Sequence, residues 1–177
     1  MNQEQLIKQF IEVARQVDTT VAVIPRSESA LKNALQEATA EQGDIVLAEP
    51  DDLNPQLFES FRQSDRVIAK PDNQQLAAAR YGISDAFAAV ARTGSVCVSM
   101  TDKMGGSISL FTGVHIAVVD AETMVARPRD VFLQSPLKEK ALSRDFVFIS
   151  GSSATADMGP LVRGVHGPGK LHVILLK

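Results

Sequence analysis

The chain has 177 residues, enough for one domain with a proper core, and 45% hydrophobic against 22% charged residues is an ordinary globular balance. A net charge of -3 with no basic stripe disfavours phosphate-backbone binding, so no nucleic-acid partner is expected. With no Trp and a single Tyr there is also no aromatic platform on which bases or sugars could stack.

The N-terminus, MNQEQLIKQF, lacks the apolar core of a secretion signal, and no stretch approaches membrane-spanning length. The cytoplasm is therefore the expected compartment, with no membrane partner. Residues 3–17 place Leu6, Ile7, Phe10, Ile11, Ala14 and Val17 on one face of an amphipathic helix. A short strand at 21–24 stops at Pro25. From Ser27, an N-cap, apolar residues repeat at helical spacing as far as Ala38, and Gly43 marks the stop. A strand at 45–48 comes next. Asn54-Pro55 then reads as a cap with proline at the first helical position, and a strand at 66–69 follows. Helix and strand thus alternate over the first seventy residues, the pattern of a layered α/β domain.

Residues 73–80 read as a helix, and Ser84 as the cap of another carrying Ala86, Phe87, Val90 and Ala91 on one face. The turn Thr93-Gly94-Ser95 leads into a strand at 96–100, the polar TDKMGGS at 101–107 reads as a loop, and strands are expected at 108–111 and 114–119. Strands so close together imply a local antiparallel hairpin within a mostly parallel sheet. Pro136 should break the helical segment 127–142. The only cysteine, Cys97, sits in an apolar run and reads as a packing residue; a reactive thiol would need an exposed, electropositive setting. One thiol can neither close an internal disulfide nor hold an iron–sulfur cluster.

Residues 146–177 carry most of the functional signal. The run FVFI at 146–149 reads as a buried strand. Small residues follow at 150–153, and Ser153 or Thr155 can cap a short helix with Asp157 in its first turn. The loop 164–169 (GVHGPG) then leads to a terminal strand at 171–176. Read together, these form a right-handed βαβ crossover, with the 150–155 loop beyond the carboxyl end of its first strand, where open α/β sheets bind ligands. Ser152, Ser153 and Thr155 offer hydroxyls and free amides suited to an anionic small molecule. His166 has Gly164 and Gly167 near it, which either shape a helix end and turn or let a ligand approach the backbone. Asp157 either complements a helix dipole or orients His166 or a ligand hydroxyl. His115 and His172 alternate with apolar neighbours and read as core or edge histidines. Lys103 and Arg92 read as solvated charges. No metal spacing, Walker lysine, dinucleotide fingerprint or serine-hydrolase elbow is present.

TGS at 93–95, ISL at 108–110, VHIAVV at 114–119, the 150–157 segment, GVHGP at 164–168 and the terminal strand together resemble the LUD domain family of lactate utilization proteins. The likeness is good from about residue 81 onward; before that it holds only in helix–strand order. The resemblance implies a fold similar to ribose-phosphate isomerases and CoA-transferases. It also implies a part in oxidising L-lactate to pyruvate beside iron–sulfur-cluster proteins, as an accessory subunit with no cluster or cofactor of its own. It adds Thr93, Gly94 and Ser95 to the candidate ligand-binding residues and assigns no catalytic one. The alternative is a free-standing enzyme or binding protein for a phosphorylated sugar or CoA thioester. The chain departs from the family at Arg92, where an acidic residue is usual, and at Gly159, where Asp-Ile-Glu becomes Asp157-Met158-Gly159. Both changes favour a binding or accessory role.

Overall fold

The computed structural model of the protein describes residues 1–157 and 159–177. Helix α1 (Gln3–Gln16) opens with a reciprocal cap: Asn2 Oδ1 accepts from the Gln5 N–H and Gln5 Oε1 from the Asn2 N–H. Its buried face carries Leu6, Ile7, Phe10 and Ala14, and each large side chain contributes roughly 1.5–3 kcal/mol by leaving water. Strand β1 (Thr19–Ile24) and helix α2 (Glu28–Ala38) follow, with Ser27 Oγ accepting from the Ala30 N–H as the N-cap. Strand β2 (Ile45–Leu47) precedes a 3-10 turn at Pro55–Phe58, capped by Asn54, which runs into α3 (Glu59–Arg62). Strand β3 (Val67–Ile68) and helix α4 (Asn73–Ala78) complete the alternating half. All of this follows the order expected from the sequence.

Beyond residue 80 the local signals and the structure part company. The expected helix after Ser84 is absent: β4 (Tyr81–Ala86) and β5 (Ala88–Val90) fill the segment. Every residue from 81 to 91 is buried, so no solvent-facing side reveals a period of two, and alanine and phenylalanine read as one helical face. Strand β6 (Ser95–Ser99) lies where expected, but α5 (Gly105–Phe111) is a helix in place of a strand. Strand β7 (Val114–Asp120) is followed by β8 (Met124–Val125) and a 3-10 turn at Pro128–Phe132. Pro136 then immediately precedes α6 (Leu137–Ser143), the expected interruption.

Strand β9 (Phe146–Ser150) is a sheet edge, with Phe148 39% exposed, so it is less buried than its apolar sequence suggests. Among the described residues no helix follows it. A two-stranded hairpin, β10 (Ala154–Thr155) with β11 (Val162–Arg163), occupies the segment and leads to β12 (Lys170–Leu176). The cap-like residues Ser153 and Thr155 speak only for local preference; pairing across the hairpin decides. Met158 lies outside the described residues.

Strands β1, β12, β7, β4, β2 and β3 form, in that order, a wholly parallel six-stranded sheet. The second sheet, β8-β5-β6-β9, contains the antiparallel neighbour pair β5–β6, so the local hairpin spans 88–99, earlier than expected. Because β9 and β12 belong to different sheets, the expected βαβ crossover does not exist. Side chains of β7 and β12 alternate between two cores. Ile116, Val118, Ile174 and Leu176 meet Leu31, Leu35, Phe58 and Phe61 on one face. Ala117, Val119, Leu171, Val173 and Leu175 meet α1 and the inner face of the second sheet on the other. Helix α6 covers the outer face, where Cys97 is fully buried and burial pushes its thiol up to about 12. Cys97 is therefore the packing residue, not the reactive thiol.

Helix α5 packs on β4 because Gly82 lacks a side chain. A Cβ there would stand 2.4 Å from Ile108 Cγ2 and 2.5 Å from Thr112 Oγ1. This close approach fixes the helix that supplies one wall of the cavity described next.

Candidate functional site

A cavity of about 320 Å³ opens between the two sheets, at the amino ends of β7 and β12. Its position corrects the expectation of a site beyond the carboxyl ends of the sheet strands. The 150–155 loop does leave the carboxyl end of β9, but β9 lies in the second sheet. Ser109 and Leu110 of α5 form one wall, Val147 to Ser150 of β9 another, and His115 and Leu171 the floor. Ser152, Ser153, His166 and Gly167 complete the rim, so the structure brings these four candidates together. The volume suits a small molecule, and no Asp, Glu, Lys or Arg lines it among the described residues.

Backbone contacts weld the two loops. The Ser153 N–H donates to Pro168 O at 2.9 Å, and the Gly164 N–H to Ser153 O at 2.9 Å. The Gly169 N–H donates to Gly113 O at 3.0 Å, anchoring the glycine loop beside the start of β7. Ser152 Oγ accepts from Arg163, whose guanidinium also lies 3.0 Å from Asp18. His166 is exposed at the mouth and shares it with a neighbouring groove lined by Gly164, Val165 and Phe111. The glycine loop is a link between strands, not the end of a helix.

Gly151 sets the rim against α1. Its φ is +72°, and an added Cβ would lie 2.3 Å from Val17 O, a backbone atom that cannot swing aside. Gly151→Ala combines left-handed strain with a backbone clash, and is expected to cost about 2–3 kcal/mol and to displace the Ser152–Ser153 rim. Urea denaturation checks this; a loss under about 0.5 kcal/mol would show that the rim yields freely.

The remaining candidates lie elsewhere. Gly94 turns against the Ala14 backbone of α1, away from this cavity's lining. Ser95 Oγ donates to Thr93 Oγ1 at 2.7 Å and stands 2.5 Å from Ser150 Oγ, so Thr93 and Ser95 reach the cavity only through Ser150. Thr155 belongs to the hairpin and Asp157 to its exposed turn. Among the described residues Asp157 makes no side-chain hydrogen bond or ion pair; it neither orients His166 nor complements a helix.

Sequence reasoning missed the polar group at the cavity floor. His115, 1% exposed, lies on the strand next to Ser84, and its Nε2 is 2.8 Å from Ser84 Oγ. Its Nδ1 is buried with no partner among the described residues. Burial lowers its pKa to about 4, so the ring is neutral at physiological pH. A neutral imidazole held through one nitrogen leaves the other as either donor or acceptor, according to tautomer. The signal was present in the sequence: a histidine on the inward face of VHIAVV must find a buried partner.

The sequence matches the family described as LUD domain over residues 7–176. It is 30% identical over 181 residues to lactate utilization protein C of Halalkalibacterium halodurans, covering 93% of this chain and 76% of that protein. It is 27% identical over 184 residues to lactate utilization protein C of Anoxybacillus flavithermus, covering 99% of this chain and 82% of the relative. The fold superimposes on the crystal structure of a DUF162 family protein from Deinococcus radiodurans with a TM-score of 0.75 at 20% identity, covering 100% of this chain and 99% of that one. The arrangement of parallel sheet, second sheet and terminal central strand is thus shared with a solved structure, and the chain belongs to the LUD domain family.

Proposed function

We propose that this chain is an accessory, cluster-free subunit of an L-lactate utilisation system. In this reading residues 1–177 act as one LUD unit in the cytoplasm, beside iron–sulfur proteins, with a small anionic molecule held in the cavity. The observation that carries the reading is the similarity to relatives named lactate utilization protein C across nearly the whole chain. Oxidising L-lactate to pyruvate releases two electrons and two protons, which need an acceptor. The buried Cys97 offers no thiolate for a cluster, which supports placing the electron carriers on partner proteins.

Deleting the gene is expected to abolish growth on L-lactate and lactate-dependent pyruvate formation in extracts, with both restored by the intact gene. Unimpaired growth and oxidation would contradict the assignment. The histidine- and hydroxyl-bordered cavity supports a second reading, a free-standing enzyme or binding protein for a phosphorylated sugar or CoA thioester. That reading expects saturable thermal stabilisation by such ligands and no lactate phenotype.

A further inference from the structure

Parallel pairing sets two arginines side by side at the far end of the second sheet. Strand β5 matches β8 with Val90 beside Val125, and the Ala91 and Arg92 N–H groups extend the pairing to Val125 O at 2.9 Å and Ala126 O at 3.1 Å. The same register carries Arg92 and Arg127 out together. With Thr93 and Arg129 they border an open cleft of about 440 Å³.

The chain's other arginines are largely committed. Arg26 pairs with Asp120, Arg62 with Glu49, Arg80 with Glu41, Arg144 with Asp52 and Arg163 with Asp18. Arg66 is spent on the carbonyls of Thr39, Glu41 and Gly43. Among the described residues neither Arg92 nor Arg127 makes a side-chain hydrogen bond or ion pair. Arg129 comes only within 3.8 Å of Asp130, whose other oxygen accepts the Arg127 N–H at 2.9 Å. The cleft therefore holds surplus positive charge on a chain of net charge -3. Thr93 adds a donor. Ser95 gives its only hydroxyl proton to Thr93 Oγ1, so the proton of Thr93 itself is free to point outward.

We propose that this cleft is an anion site for the phosphate group of a small molecule, with Arg92 and Arg127 as paired forks and Thr93 as a further donor. Guanidinium forks flanking a hydroxyl match a tetrahedral, multiply charged oxyanion better than a planar monocarboxylate. The site is separate from the cavity and does not depend on the lactate reading.

Calorimetric titration of the intact chain with inorganic pyrophosphate and, in a second arm, ribose 5-phosphate tests it. One saturable site is expected, weakened by added salt and weakened at least about 10-fold in the Arg92→Gln/Arg127→Gln variant. The tighter of the two probes tells whether an inorganic or a sugar-borne phosphate is the better occupant. Each single glutamine variant should show a smaller loss, which keeps the test usable if the double variant fails to fold. Lys70→Gln, which removes an exposed cation on the loop after β3, should bind as the wild type does. Three results would overturn the site: no saturable binding by either probe up to roughly 10 mM, affinity unchanged in the arginine variants, or affinity lost as strongly in Lys70→Gln.

Discussion

Asp85→Ala is expected to cost about 3 kcal/mol, a large share of the stability of a domain this size. Asp85 stands near the carboxyl end of β4, and its carboxylate anchors the 51–53 loop through three backbone donors. The N–H of Asp51 lies 3.1 Å from Oδ1; those of Asp52 and Leu53 lie 2.7 Å and 2.9 Å from Oδ2. Alanine leaves all three without that acceptor. The damage should spread, because the same loop bridges the sheets: Asp52 pairs with Lys140 at 2.7 Å and Arg144 at 3.0 Å, and Arg144 also donates to Ser99 Oγ at 3.0 Å. Burial pushes the Asp85 carboxyl above its ordinary 3.8, with the Leu53, Asp52 and Asp51 N–H groups pulling the other way. Asp85→Asn keeps one acceptor oxygen but turns an NH2 toward a donor, so its loss should fall between wild type and alanine. Chemical denaturation reads the order directly; equal stability of all three proteins would mean the loop does not depend on Asp85.

The second large effect is on pH dependence. His115 binds its proton only near pH 4 in the folded chain, against about 6.5 when unfolded. Between those values the unfolded chain takes up a proton that the folded chain refuses. The stability that His115 allows is therefore complete above about 6.5 and is lost as pH falls toward 4. At roughly 1.4 kcal/mol for each pH unit, the loss comes to about 3 kcal/mol. His172, lowered by burial against an opposing pull from Glu37, acts in the same direction, while the raised carboxyl of Asp85 opposes both at lower pH. His115→Gln, which still offers Ser84 a partner, isolates the contribution because the other two groups cancel in the comparison. The wild-type advantage over His115→Gln should shrink by about 3 kcal/mol between pH 7 and pH 4. Parallel pH profiles would mean that His115 titrates normally, as an accessible histidine does.

Where a residue's own neighbourhood decides its conformation, the sequence was readable. Ser27 and Asn54 cap where they were expected to, and the apolar runs of β7 and β12 declare strands buried on both faces. The segments that misled are those whose partners lie far along the chain. Residues 84–86 and 88–90 are strands because β7 lies against β4 and β8 against β5, and neither neighbour leaves a trace in an alanine-rich run. Ile108 and Leu110 favour a strand locally, yet the gap above Gly82 and the left-handed turn at Met104 make a helix. The site was half legible for the same reason. The meeting of Ser152, Ser153, His166 and Gly167 follows from small residues flanking β10 and β11. The pairing of Ser84 with His115 becomes visible only once 81–86 is recognised as a strand.

Whether the serine rim, the glycine loop and His115 act together on one ligand is tested most directly by side-chain nitrogen NMR of the histidines. L-lactate, pyruvate, ribose 5-phosphate and CoA would be titrated in turn. The resonances of His115 and His166 should move together and saturate with at least one of the four, with His172 unmoved. A set in which none of the four moves His115 would contradict the cavity as the functional site.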